Sequence, residues 1–130
     1  MEIEIKTIPH RSQRYETVGD YWNDEAGEHI RISEMGNKDY EFLVAFHELG
    51  EKYLCERLGI KMEDIDAFDI KFEEERKNGL HSEEDEPGDD IRAPYRKEHF
   101  FMTSLERLMA EQLGVDWSEY EKTVIKLVYG

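Results

Sequence analysis

The hydrophobic periodicity of the chain changes at Gly36–Asn37. Before this point, the segments 2–8, 14–22 and 28–33 alternate apolar or β-branched residues with polar ones, as half-buried strands do. After it, apolar residues recur at spacings of three and four, which is typical of amphipathic helices. A sheet of two or three short strands is stable only with helices packed on it. We therefore expect an α+β fold, in which a small antiparallel N-terminal sheet packs on about four helices.

Capping residues and glycines delimit the predicted segments. Residues 1–130 are expected to form a single domain, because this length allows one substantial hydrophobic core and is short for two. The predicted segments are a sheet region at 1–35, helices at 39–58, 62–77, 96–113 and 116–128, and an acidic loop at 80–95.

The acidic composition restricts the partners of the chain. It has 32 Asp and Glu against 17 Lys and Arg, a formal net charge of −15. Phosphates of nucleic acids and anionic lipids would be repelled, so we expect no direct nucleic-acid partner and no membrane partner. The single cysteine, the lack of a signal-peptide pattern and the lack of a long apolar run predict a cytoplasmic, intracellular protein.

The predicted helix 39–58 carries two titratable residues on its apolar surface. At about 100° per residue, His47 and Glu51 lie in the middle of a wide apolar surface, whereas a narrow arc around Glu48 and Lys52 is expected to face solvent. A buried carboxylate needs a cation, hydrogen bonds or a metal ion as compensation. An imidazole and a carboxylate at i and i+4 have the chelating geometry of a helical zinc site, but the same pair can be simply hydrogen-bonded.

The motif at this position resembles that of a known class of enzymes. His47–Glu51 reads His-Glu-Leu-Gly-Glu and resembles the active-site helix of small zincin-type metallopeptidases, whose motif is His-Glu-x-x-His. More of the chain, from about residue 28 onward, resembles a family of small uncharacterised phage- and prophage-type proteins that look like minimal zincin-like domains with Glu in place of the second His. The runs that carry this resemblance are VAFHELGEKYLCERLGI, IDAFD and EPGDDIRAPYRKEHFFMTSLERLMAEQLGVDW.

The resemblance implies a metal site and supplies candidate roles. Glu48 stands where a metallohydrolase places the general base for a metal-activated water. Glu51 replaces the second histidine and makes the site harder and more anionic, so zinc is the first candidate and other divalent metals remain open. His99, at the start of the predicted third helix, is the best candidate for a third ligand by its position on that helix, and the alternative is a histidine at the surface of the first helical turn. Glu106, two turns further on, is interpreted first as a salt-bridge residue, and alternatively as a fourth ligand or a carboxylate that orients an imidazole.

Other acidic groups have simpler interpretations. Asp66, Asp69 and Glu73 share one face of the predicted second helix, which we interpret as a solvated face. The run 83–90 lacks the spacing of an EF-hand and is interpreted as a solvated loop, although it could cover the candidate site because it leads into the His99 helix. Cys55 lies on an apolar face without a cationic neighbour in sequence, so packing is favoured over a nucleophilic role.

Three functional hypotheses follow. The first is a metal-binding zincin-like domain, active as a peptidase on a peptide or protein substrate if it is an enzyme. The second is a non-catalytic acidic binding protein that occupies a host DNA-binding protein as a decoy, with carboxylates in place of phosphates. The third is a degenerate zincin scaffold in which His47 and Glu51 are only hydrogen-bonded. Convergence of His47, Glu51 and His99 on one point, within about 2.0–2.2 Å, separates the first hypothesis from the others.

Overall fold

The computed structural model describes residues 1–129 and has the expected α+β class. Two short 3₁₀ turns, at His10–Ser12 and Pro87–Asp89, accompany the regular elements. The strands are β1 (Ile3–Ile8), β2 (Gly19–Asp24) and β3 (Gly27–Ser33), and the helices are α1 (Lys38–Arg57), α2 (Met62–Lys77), α3 (Arg96–Gln112) and α4 (Trp117–Tyr129). The predicted helix bounds agree with these to within one residue.

The sheet differs from the expected antiparallel arrangement in one strand. Its order is β1-β3-β2, with β2 antiparallel to β3 and β1 parallel to β3. Residues 9–18 connect β1 to β2 and are too long for a tight hairpin, so they cross to the far edge of the sheet and leave room for β3 between the two strands. The expectation of a fully antiparallel sheet is therefore wrong for β1. The predicted strand 14–22 in fact begins only at Gly19.

Helix α1 is the central helix of the fold. Asn37 caps it, because its side-chain oxygen accepts a hydrogen bond from the Tyr40 backbone N–H at 3.1 Å. Gly59, with φ of +73°, follows its last turn in the left-handed conformation that glycine adopts easily. One face of α1 packs on the sheet and another on α3, where a side chain at Gly50 would overlap Met102.

The interface of α1 with the sheet and α3 is unusually polar. Its hydrophobic part includes Ile30, Leu43 and Cys55, all of which are essentially inaccessible to solvent. The charged side chains of Glu51 and Lys52 are buried on α1 as well. Charged groups are rarely buried without partners, so the contacts of these side chains determine what this interface can do.

The prediction that Lys52 faces solvent on α1 is wrong. Its side chain is 1% exposed and forms ion pairs with Glu28 of β3 and Glu56 of α1. The long aliphatic part of a lysine can pack in a core while its ammonium group reaches carboxylates at the edge, which periodicity alone does not reveal. Within residues 1–129, no helix is long and apolar enough to cross a membrane.

Candidate metal centre

The structure brings the three predicted ligands together. His47 and Glu51 lie one turn apart on α1, and His99 lies in the first turn of α3. His47 Nε2 is 2.9 Å from Glu51 Oε2 and 3.2 Å from His99 Nδ1, and His99 Nδ1 is 3.2 Å from Glu51 Oε2. His47 and Glu51 are buried, and His99 is largely buried. One oxygen and two nitrogens therefore converge from two helices on a single point.

The atoms His47 Nε2, Glu51 Oε2 and His99 Nδ1 form a triangle whose size fits a metal ion. Its edges of 2.9, 3.2 and 3.2 Å place its centre about 1.8 Å from each corner, slightly less than the zinc–ligand distance of about 2.0–2.2 Å. An ion a short way out of the plane would contact all three atoms. Hydrogen bonds have the same separations, so the distances alone also fit a hydrogen-bonded cluster.

The outer atoms of His47 and Glu51 each have a partner. His47 Nδ1 lies 2.7 Å from Glu106 Oε1, so the carboxylate accepts a hydrogen bond from this nitrogen and turns Nε2 toward the triangle. Tyr21 OH, from β2, donates to Glu51 Oε1 at 2.9 Å and leaves Oε2 for the triangle. Glu106 therefore lies on the far side of the His47 ring from the triangle, as an orienting carboxylate does.

His99 is oriented by the acidic loop. Its Nε2 lies 2.9 Å from Glu86 Oε2 and 3.4 Å from Asp89 Oδ1, which directs Nδ1 at the triangle. Gly88 is buried against the ring, and a side chain there would overlap the imidazole. The predicted loop 80–95 thus covers the site. Glu86 and Asp89 together with His99 also form a second group of ligand-type atoms within reach of one another.

The charges within the cluster reinforce one another. Burial opposes the charged form of His47, but its hydrogen bonds to Glu106 and Glu51 raise the pKa to about 10. For His99, burial is likewise outweighed by Asp89, Glu51 and Glu86, and the pKa rises to about 12. Burial alone would raise the pKa of Glu51, whereas the two imidazoles lower it to about 2. In the metal-free protein, the cluster is therefore an ion-pair network that holds exchangeable protons on both histidines.

Glu48 lies beside this cluster and is only partly exposed, contrary to the predicted solvated arc. A side chain at Gly19 would overlap Glu48 and Val44, so glycine allows the start of β2 to pack closely against α1. Burial, followed by the charge of Glu51, raises the pKa of Glu48 well above its usual value. A carboxyl group with a raised pKa beside a ligand cluster is suited to hold and release a proton there.

The prediction that Asp69 lies on a solvated face of α2 is wrong. It is buried and accepts hydrogen bonds from Tyr15 OH at 3.0 Å and from Tyr95 OH. Burial raises its pKa to about 7, although both tyrosine hydrogen bonds act in the opposite direction. Asp66 forms an ion pair with Arg14 at 3.1 Å.

A cavity of about 580 Å³ adjoins the candidate centre. The predicted site residues line this cavity, together with Tyr21 and Glu86, which contact Glu51 and His99. Periodicity and motif spacing did not indicate these two residues. Tyr21 carries no sequence signal, because a tyrosine in an alternating strand does not reveal what its hydroxyl contacts. For Glu86 and Asp89, the only signal is the proximity of their loop to the His99 helix in the chain.

These pKa shifts predict how the stability of the metal-free protein depends on pH. The pKa of His47 is about 10 in the folded protein, against an ordinary 6.5. Its contribution to the free energy of unfolding is therefore complete below pH 6.5 and is lost as the pH rises through 10. The pKa of Glu51 is about 2 in the folded protein, against an ordinary 4.5. Glu51 therefore contributes to the free energy of unfolding above pH 4.5 and loses this contribution as the pH falls through 2. Urea unfolding in a chelator should therefore show the free energy of unfolding declining between pH 6.5 and 10.

The matched variants are His47→Gln and His10→Gln. His47→Gln should show a smaller alkaline decline than the wild type, whereas His10→Gln, outside the cluster, should keep it. An identical decline in all three proteins would contradict this interpretation of His47.

Comparisons with protein-family models, with curated proteins and with solved structures found no match for this chain.

Proposed function

We propose that the chain is a metal-binding domain in which His47, Glu51 and His99 hold a divalent cation, with zinc as the first candidate. The observation that carries the proposal is that each of the three side chains is fixed on its outer side by a separate partner. Metal-binding histidines characteristically donate their second ring N–H to a carboxylate, carbonyl or water, and carboxylate ligands are in turn hydrogen-bonded. The partners here come from β2, α3 and the 80–95 loop.

The contact between the two ring nitrogens favours a cation over hydrogen bonds alone. His47 Nε2 and His99 Nδ1 are 3.2 Å apart, and both also face the same Glu51 oxygen. If both nitrogens carry protons, both donate to the same Glu51 oxygen and two positively charged rings lie in contact. If both present lone pairs to one ion, the short separation is what coordination requires.

The convergence of these groups is required by the metal hypothesis and has no role in the acidic-decoy hypothesis. A decoy of DNA needs its carboxylates spread over one exposed face. Here, Glu51 and Glu106 are buried and point inward at histidines. The proposal retains the zincin-like character suggested by the His-Glu-Leu-Gly-Glu sequence, with Glu51 as a ligand in place of the second histidine.

The activity that we propose is hydrolysis of peptide bonds. Three protein ligands leave a further position for water, and a bound divalent cation lowers the pKa of such a water and polarises carbonyl groups. Glu48 lines the cavity, and the side chains of residues 1–129 offer its carboxyl group no hydrogen bond. It would accept the proton of the attacking water and return it to the leaving amine. The cavity would receive the substrate beside these groups.

Metal analysis tests the ligands. After zinc supplementation and removal of free metal, the wild-type protein should retain stoichiometric zinc, and His47→Ala and His99→Ala should retain little, because each removes one of three ligands. His81→Ala removes a histidine of the chain outside the cluster and serves as the control. Absence of zinc in the wild type, or equal zinc in all four proteins, would contradict the proposal.

A pair of tyrosine variants tests the outer partners. Tyr21→Phe removes the hydroxyl that holds Glu51 and should weaken zinc affinity by about tenfold, with unchanged stoichiometry. Tyr15→Phe removes a hydroxyl that contacts Asp69 and should leave the affinity unchanged. Competition titration with a chromogenic chelator measures both affinities, and equal losses in the two variants would count against a specific role for Tyr21.

Glu48→Gln tests the peptidase activity. The variant should keep the zinc of the wild type and lose hydrolysis of a labelled peptide library, because the amide cannot accept a proton. Glu111→Gln, an exposed position on α3, is the matched control and should remain active. Hydrolysis by Glu48→Gln at the wild-type rate would exclude Glu48 as the base.

A further inference from the structure

The side of α1 that faces away from the core carries an apolar stripe. Phe42, Phe46, Leu49 and Tyr53 recur at spacings of four, three and four, by which paired helices pack against each other. Phe42 is 46% exposed and Tyr53 is 52% exposed, and the other two are half-buried. The buried residues of the helix lie on its opposite side. Helix α1 is therefore apolar on two sides, and residues 1–129 fully cover only one of them.

No charged side chain interrupts this stripe. Between Phe42 and Tyr53, the charged residues of α1 are Glu48, Glu51 and Lys52, and all three turn inward. Glu48 lines the cavity, Glu51 belongs to the cluster, and Lys52 is 1% exposed. In a chain with 32 Asp and Glu among 130 residues, a surface without carboxylates is where another strongly acidic chain meets the least repulsion.

Opposite charges lie at the two ends of the stripe. Asp39 is in the first turn of α1 and Arg57 in the last, and both are exposed. They are 57 − 39 = 18 residues apart, which is about five helical turns, so both lie on the same edge of the stripe. Lys38 and Glu56 have the same separation on the other edge and are exposed as well.

This distribution of charge is complementary to itself in an antiparallel arrangement. When two copies of α1 pack antiparallel about a two-fold axis, the first turn of one helix lies against the last turn of the other. Asp39 then faces Arg57 of the second copy on one edge, and Lys38 faces Glu56 of the second copy on the other. Each pair occurs twice. In a parallel arrangement, like charges would meet at both ends, so the charges select the antiparallel one.

Helix α3 enlarges the apolar surface. Phe101 and Leu108 are 53% and 60% exposed, on the flank of α3 that faces away from Glu106. Glu106 meets His47 on the cavity side of the contact between α1 and α3, so this flank and the stripe both lie on the other side of that contact. A second copy therefore covers apolar residues of two neighbouring helices.

We propose that the chain forms a two-fold symmetric dimer through this stripe, with α1 antiparallel to α1 of the second copy. Phe42 packs against Tyr53 of the second copy and Phe46 packs against Leu49, while the ion pairs lie at both ends. The stripe faces away from the candidate metal centre, so the inference does not depend on the proposed function.

Sedimentation velocity tests the dimer. At about 0.15 M salt, where charges more than about 8 Å apart are screened, the wild type should pass from monomer to dimer as its concentration rises through the micromolar range. Phe42→Gln should weaken dimerisation at least tenfold, because each dimer loses two apolar contacts. Ile70→Gln removes an apolar residue of equal exposure, 46%, from α2 and should dimerise as the wild type does. A wild type that stays monomeric up to about 200 µM, or equal dimerisation of the three proteins, would overturn the proposal.

Charge reversal tests the antiparallel pairing. Asp39→Arg and Arg57→Asp each bring like charges together at both ends of the dimer and should weaken it about three- to tenfold. The double variant restores opposite charges and should recover the wild-type affinity. Lys71→Asp, at an exposed position on α2, changes the net charge as Arg57→Asp does and should leave the dimer unchanged. A double variant as weak as the single variants would overturn the antiparallel arrangement.

Discussion

The burial of one carboxylate governs the arrangement of this molecule. Glu51 lies in the interface between α1, α3 and the sheet, where an uncompensated charge would cost several kcal/mol. Its two oxygens contact different groups. One oxygen accepts a hydrogen bond from the Tyr21 hydroxyl, and the other lies within hydrogen-bond distance of the imidazoles of His47 and His99. Each imidazole is in turn held by a carboxylate. A single buried charge thus requires a hydrogen-bonded network that joins the sheet, two helices and a loop.

This network explains why an acidic loop packs on an acidic protein. Glu86 and Asp89 would repel a surface of net charge −15, but they face a histidine whose raised pKa keeps it positively charged in the metal-free state. Gly88 completes the fit by allowing the loop backbone to lie against the imidazole. Local charge complementarity therefore prevails over the global charge, because the groups that interact are close together and shielded from water.

The helices and the pairing of His47 with Glu51 could be predicted from the sequence because both depend on local periodicity, whereas the approach of His99 depends on how α3 packs on α1. A helical spacing of four places His47 and Glu51 on one face, and the apolar residues that surround them on the helix indicate that this face is buried. The parallel placement of β1 and the burial of Asp69 depend instead on the path of connections and on tyrosines far away in the chain. Tertiary contacts of this kind leave no periodic signal.

The separation of the site residues along the chain has a consequence for folding. Tyr21 is 30 residues from Glu51, and His47 is 52 residues from His99, so no local segment contains the centre. Contacts between distant residues form only after the loop-closure entropy between them has been overcome. The centre therefore assembles late, once the sheet and α3 have both packed on α1. A cation that prefers this geometry would bind the native state rather than folding intermediates, and would slow unfolding more than it accelerates folding.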